Sequence, residues 1–219
     1  MKIKAMDAAS LTILHCDDEL LILDKPAGLA VHPGPRTPFS LEALLPALAR
    51  RLDQKQTPLP LHRLDRDTSG CLLLARRKST AGRLTRLFEA RQVEKIYWAL
   101  LERLPDQDSG LIEAPLAKIS HAATGWRMAI DKSGQPARTL WRILDRRAGL
   151  VEFQPQTGRT HQLRVHALCL GSAIMGDQVY GSGSGPMRLH ARQLRLPRLD
   201  GTALVVKAPL PHGWPDLPS

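Results

Sequence analysis

The sequence predicts an α+β fold. Short runs rich in Leu, Ile and Val recur with turn residues between them, and the helical stripes stand apart from one another instead of following each strand in turn. No internal repeat, low-complexity tract or long linker breaks this pattern. At 219 residues, with 43% hydrophobic and 24% charged side chains, the chain has the make-up of a folded protein with one domain, or one domain with two lobes.

The elements follow in order. Residues 11–15 and 20–24 read as strands joined by the acidic turn at 16–19, a plausible hairpin. Lys25-Pro26-Ala27-Gly28 punctuates the chain before residues 29–32, and the proline-rich stretch 33–38 continues neither a strand nor a helix. Ser40 is a fair N-cap for a helix running to about Leu52, with Leu41, Leu44, Leu45 and Leu48 on one face. Residues 61–70 form a charged loop that feeds the apolar run 71–75, a buried strand. From 79 to 90, Ala81, Leu84, Leu87 and Phe88 make a helical stripe, leaving Arg83, Arg86 and Arg91 to offer positive charge elsewhere. Residues 93–101 are β-like, and 111–153 alternate apolar runs with turns at Ser133-Gly134, Gln135-Pro136 and Ala148-Gly149. A helix is expected to start at Thr160 and run to about Leu170, and 189–196 and 203–206 read as closing strands.

Composition narrows the partners. Lys and Arg number 31 against 21 acidic residues, a formal charge of +10 whose field attracts polyanions: RNA, DNA or an anionic surface. Four Trp, two Tyr and three Phe are too few for a multi-base stacking platform, so recognition of a nucleic acid would lean on backbone charge and shape. Cys16, Cys71 and Cys169 are scattered and set mostly among apolar neighbours, which predicts buried free thiols in a reducing compartment and no zinc site. The N-terminus lacks a secretory core, and no apolar run nears the ~18 residues of a membrane span, so the cytoplasm is the expected location.

The most informative stretch is His62-Arg63-Leu64-Asp65-Arg66-Asp67-Thr68-Ser69-Gly70. It sets a carboxylate between arginines at the mouth of an apolar strand, where opposite charge favours the ionised form. A positioned carboxylate can act as a nucleophile, and the same residues also suit a surface ion-pair network in a turn.

This stretch, with Cys71-Leu72-Leu73-Leu74-Ala75 behind it, resembles the signature of the RluA-type pseudouridine synthases. Further blocks fall in that family's order: Asp24-Lys25-Pro26-Ala27-Gly28-Leu29, Lys95-Ile96-Tyr97-Trp98-Ala99, Pro155-Gln156-Thr157-Gly158-Arg159-Thr160-His161-Gln162-Leu163-Arg164-Val165-His166, and Gly176-Asp177-Gln178-Val179-Tyr180-Gly181. The resemblance implies a catalytic domain with a central, largely antiparallel mixed sheet, flanking helices and an RNA-binding cleft. It implies a cofactor-free isomerisation in which Asp65 attacks the sugar C1′ or the uracil C6, or assists departure of the base. The target nucleotide must first leave its stack. The resemblance implies that Arg63 fills the vacated space, that Tyr97 packs against the uracil and takes the C5 proton or else fills the core as a strand tyrosine, that Arg164 pairs with the catalytic carboxylate or contacts a phosphate, and that Leu163 lines the base pocket or belongs to the core.

The remaining charged residues read more plainly. His161 and His166 lie five apart, a spacing that suits metal ligands on one helix face poorly, and all three of His62, His161 and His166 are expected to be hydrogen-bonding scaffold, with RNA contact as the alternative. Lys25 and Lys95 flank strands and turns and read as solvated, although the family pattern suggests support near the active cleft. Arginines in 76–91 either grip phosphates or form a solvated helix face. The expected protein is a single catalytic domain over residues 1–219 with its core at about 11–208, monomeric, binding tRNA, large-subunit rRNA or both, with no metal and no membrane. With about ten residues ahead of Leu11, no separate N-terminal RNA-binding domain is expected. Two rival readings remain: a non-catalytic RNA-binding protein or chaperone on the same scaffold, and a base-excising enzyme using Asp67 as a second carboxylate.

Overall fold

The computed structural model describes residues 6–34, 37, 39–121 and 125–215. Its elements, in chain order, begin with β1 (Thr12–Cys16), β2 (Leu20–Lys25), α1 (Leu41–Arg51), β3 (Leu59–Pro60), β4 (Ser69–Ala75) and α2 (Lys78–Glu89). There follow β5 (Glu94–Leu100), β6 (Ser109–Glu113), β7 (Leu116–His121), β8 (Gly125–Ile130), β9 (Arg138–Asp145) and β10 (Leu150–Pro155). The chain continues with α3 (Gln162–Cys169), β11 (Leu189–Pro197) and β12 (Ala203–Lys207). The α+β class is as predicted, and its contacts divide the chain into two compact units: 1–94 with 191–211, and 95–190 with 212–219.

In the first unit the strands run in the order β1-β2-β4-β11, with β12 on β11 and β3 on β4. β1 and β2 form the expected antiparallel hairpin, whose turn is closed by the Asp17 carboxylate accepting the Glu19 and Leu20 N–H groups. Every residue of β4 is buried, as a strand packed on both faces requires, and Leu20, Ile22, Cys71, Leu73, Leu84, Leu194 and Val206 share one core. The stripe of α1 is buried as predicted, although Ser40 caps the helix with its position alone and makes no side-chain capping bond. Residues 29–32 form no strand beyond an isolated bridge from Ala30 to Ser40, and the 33–38 stretch lies partly outside the described residues.

In the second unit the order is β5-β10-β9-β6, antiparallel throughout, with β7 and β8 as a separate antiparallel hairpin. Leu116, Ala137 and Val165 form a small core with Met128 and Tyr180 against it. α3 begins two residues later than the sequence suggests, because His161 sits at φ 53 in the left-handed region and cannot belong to the helix.

Three further expectations are corrected. Cys71 is buried, but Cys16 and Cys169 are exposed, being the last residues of a peripheral strand and of a short helix. Arg83 does not offer free charge, since its guanidinium donates to Glu19 at 2.5 Å. Lys25 is fully buried and Lys95 is half-buried, so neither is a solvated lysine.

Candidate active site

The loop between β3 and β4 carries Arg63 and Asp65, and the first unit holds it from three sides. His62 turns its Nε2 inward to accept the Leu73 N–H at 2.9 Å, and Leu64, Thr68 and Ser69 are buried. The Thr68 N–H closes a turn on the Asp65 carbonyl at 3.1 Å. Gly70, at φ +104, lies against the backbone of Ala191, where any Cβ would run into the Ala191 carbonyl. Between these anchors Arg63 is exposed and Asp65 half-buried.

Lys25 supplies the third anchor from below. Its ammonium donates to the carbonyls of Pro26 and Leu29, each at 2.8 Å, and of Arg66 at 3.1 Å, while the Gly28 N–H donates to the same Arg66 oxygen at 2.8 Å. One buried cation thus ties the Lys25-Pro26-Ala27-Gly28-Leu29 turn to the loop one residue beyond Asp65. Burial drops the Lys25 pKa to about 7, against the pull of the Asp67, Asp65 and Asp24 carboxylates that favour its charged form. Three accepting carbonyls call for three N–H donors, which only the protonated form has. Arg66, the arginine after Asp65 in the sequence, donates from Nε and Nη2 to the two carboxylate oxygens of Asp67 at 3.0 and 3.2 Å.

The second unit presents Tyr97, Leu163 and Arg164. Tyr97 is buried on β5, opposite Phe153 of β10 in the register. Leu163 and Arg164 lie in the first turn of α3, where their residues are 7% and 6% exposed. The carboxylate described against Arg164 in this unit is Asp177, which the sequence did not single out: Arg164 Nε donates to its Oδ2 at 2.6 Å and Nη2 to its Oδ1 at 2.7 Å. Burial alone would raise the Asp177 carboxyl, but the Arg164 guanidinium and the Val179 and Tyr180 N–H groups hold it below the usual carboxylate range. Asp177 falls within the Gly176–Gly181 block quoted above, yet nothing local ties it to a residue 13 positions earlier.

The histidines are scaffold here. Gln162 Nε2 donates to Thr139 Oγ1 at 2.9 Å, Thr139 Oγ1 meets His166 Nδ1 at 2.8 Å, and His166 Nε2 meets the Ala114 carbonyl at 3.1 Å. Since a carbonyl only accepts, Nε2 carries the hydrogen and Nδ1 takes the threonine proton; burial lowers the His166 pKa, which keeps this neutral tautomer. His161 Nδ1 meets the Tyr180 hydroxyl at 2.9 Å. Among the described residues no group of three or more His, Cys, Asp or Glu could hold a metal ion, and no helix is long and apolar enough to cross a membrane.

Comparison with known proteins places this chain in a class of RNA-modifying isomerases. The family model for RNA pseudouridylate synthase matches residues 19–168. An RNA pseudouridine synthase of Zymomonas mobilis, itself uncharacterized, is 47% identical over 94% of this chain and 96% of its own length. The ribosomal large subunit pseudouridine synthase D of Nitrosomonas europaea is 38% identical over 94% of this chain and 60% of its own. The solved structure of human RNA pseudouridylate synthase domain containing 4 superposes with a TM-score of 0.78 at 32% identity, covering 94% of this chain and 92% of that one. The chain belongs to the RNA pseudouridylate synthase family, in its RluA type, and is an RNA pseudouridine synthase, an isomerase.

Proposed function

We propose that this enzyme isomerises uridine in structured RNA, in a tRNA anticodon stem-loop, in large-subunit rRNA or in both, with Asp65 as the catalytic carboxylate. The observation that carries the reading is the anchoring of the Asp65 loop by Lys25, His62 and the Gly70 contact, which holds the half-buried Asp65 carboxylate and the exposed Arg63 between fixed points, while the neighbouring Arg66 and Asp67 are engaged with each other. Preorganisation of this kind is what a reaction on an extruded base requires, because a displacement of about 1 Å can cost ~10²-fold in rate.

The other residues take the roles that the family resemblance assigns. Arg63 enters the space left by the flipped nucleotide, Tyr97 supports the uracil with its ring and takes the C5 proton, Arg164 stabilises the ionised carboxylate, and Leu163 lines the base pocket. No cofactor enters this scheme. The rRNA arm is supported by the Nitrosomonas relative, whose name assigns it to the large ribosomal subunit, and the net charge of +10 suits either RNA. The protein works as a monomer in the cytoplasm. Base excision would call for a second, water-activating carboxylate, and both oxygens of the candidate Asp67 accept from the Arg66 guanidinium, which disfavours that reading.

Pseudouridine mapping of tRNA and rRNA from cells with and without the gene tests the substrate. Loss of specific sites in either RNA supports the proposal, and unchanged maps in both refute it. Asp65→Asn keeps the side-chain volume and removes the charge; turnover of added RNA is expected to fall by at least about 10³-fold with RNA binding retained. Turnover by folded Asp65→Asn protein near the parent rate would end the assignment.

A further inference from the structure

Arg164 is a buried cation in the first turn of a two-turn helix, and its direction is not set by the helix alone. The side chains of the pair it forms with Asp177 are 7% and 0% exposed, so neither partner has water as an alternative. The bond is two-pronged: Nε and Nη2 face the two carboxylate oxygens, which fixes both the position and the plane of the guanidinium. Nη1 is not part of this pair.

Asp177 is itself held. Its Oδ1 also accepts the Val179 N–H at 2.9 Å and the Tyr180 N–H at 3.0 Å, and its own N–H donates to the Ile174 carbonyl at 3.1 Å. The residue before it, Gly176, has φ +75 and packs against the Pro186 carbonyl so closely that no Cβ fits. The turn that follows Asp177 brings Tyr180 back, with the Arg164 Cζ 5.0 Å from its ring centroid. The Tyr180 hydroxyl accepts the Met128 N–H at 2.9 Å and meets His161 Nδ1, so the residue that precedes α3 in a left-handed conformation is tied to the same turn. Carboxylate, ring and helix start therefore all act on one guanidinium.

We infer that Asp177 is a positioning residue for the isomerisation, holding the Arg164 guanidinium in the orientation that the reaction uses. The inference rests on the reading of Arg164 as a residue of the active site. It assigns Asp177 no contact with the RNA.

A merely structural aspartate and a positioning one give different results in a two-residue cycle. The full chain is assayed under single-turnover conditions for tritium release from C5-tritiated uridine in transcripts of large-subunit rRNA and tRNAs, with RNA affinity measured separately. Asp177→Asn is expected to lower the saturating rate by about 10²-fold while the RNA Kd moves less than about threefold. Arg164→Lys keeps the charge but has no planar fork to align, so adding Asp177→Asn to it should cost less than about threefold more. Asp177→Glu returns the charge from a longer side chain and should recover part of the rate. A parent-like rate for folded Asp177→Asn, or a full independent loss in the Arg164→Lys background, overturns the inference. If Asp177→Asn does not fold, Asp177→Glu decides: a loss of about tenfold at unchanged RNA affinity supports the inference, and a parent-like rate overturns it. Asp65→Asn run beside these variants separates the two levels. Its activity would remove the active-site reading and this inference together, whereas its inactivity with a parent-like Asp177→Asn removes the inference alone.

Discussion

Lys25 in the first unit and Arg164 in the second are both buried cations, but they are satisfied in different ways. Among the described residues Lys25 meets three backbone carbonyls and no carboxylate at bonding distance, while Arg164 meets a carboxylate through two parallel bonds. An ammonium is a compact point charge that dipoles can surround from several directions, and it gives up its proton when burial is costly enough. A guanidinium does not deprotonate in a protein, so its burial calls for a counter-charge. The loop carrying Asp65 is therefore tied by a group whose pKa is pushed down to about 7, whereas the start of α3 is tied by a pair that stays charged across the neutral range.

This contrast predicts unequal costs. Arg164→Met would strand the Asp177 carboxylate in a site where its side chain is 0% exposed. The expected loss is about 3–5 kcal/mol of stability at neutral pH, read from chemical denaturation. Acidification should narrow the gap to the parent: the lowered pKa of Asp177 contributes stability that is present above its unfolded value and is lost as pH falls through the folded one. A loss at neutral pH no larger than that of an exposed pair, about 1 kcal/mol or less, would break the comparison from the arginine side.

Gly70→Ala tests whether backbone packing anchors the Asp65 loop alongside Lys25. The new methyl would meet the Ala191 carbonyl at a residue already at φ +104, so a loss of ~2–4 kcal/mol is expected. For a chain of this size that corresponds to a fall of roughly 5–15 °C in Tm. An unchanged melting curve would leave Lys25 as the main anchor.

Lys25→Met should cost less, about 1–3 kcal/mol, because it removes hydrogen bonds but leaves no buried charge unpaired. Its pH dependence is the sharper test. Folded Lys25 titrates at about 7 and a free lysine at 10.5, so between these values the unfolded chain binds the extra proton and the site's contribution to stability rises with pH. The parent should gain stability relative to Lys25→Met from about pH 7 towards pH 10, as the penalty of burying the charge is relieved. A stability difference that is flat over this range would mean that the lysine stays protonated and behaves as Arg164 does.

The smallest expected effect concerns Arg63, the exposed arginine that the loop presents. Arg63→Ala is expected to slow turnover about tenfold on a structured stem-loop and only a few-fold on an unstructured strand of the same local sequence, since unstacking there costs little. Equal losses on both RNAs, with the salt slope shallower by about one unit, would make Arg63 a phosphate contact.

The sequence by itself determined the α+β class, the strands β1, β2, β4, β5, β11 and β12 and the two longer helices, because these follow from apolar periodicity within a few residues, whereas 111–153 read only as an alternation of apolar runs and turns and β3 was not legible. It also carried the family, through motifs such as 62–70 that are contiguous in the chain. Only the tertiary structure decided how the charges in those motifs are used. Lys25 reads as a solvated residue beside a proline, and its burial depends on a carbonyl at Arg66, 41 positions away. The partner of Arg164 lies 13 residues downstream, and the hydrogen bonds that fix His166 come from Ala114 and Thr139. The exposure of Cys16 and Cys169 and the left-handed His161 were equally hidden. Periodicity is a local property of the chain, but desolvation and ion pairing depend on which distant segments close over a side chain, and that is settled only when the sheets and helices pack.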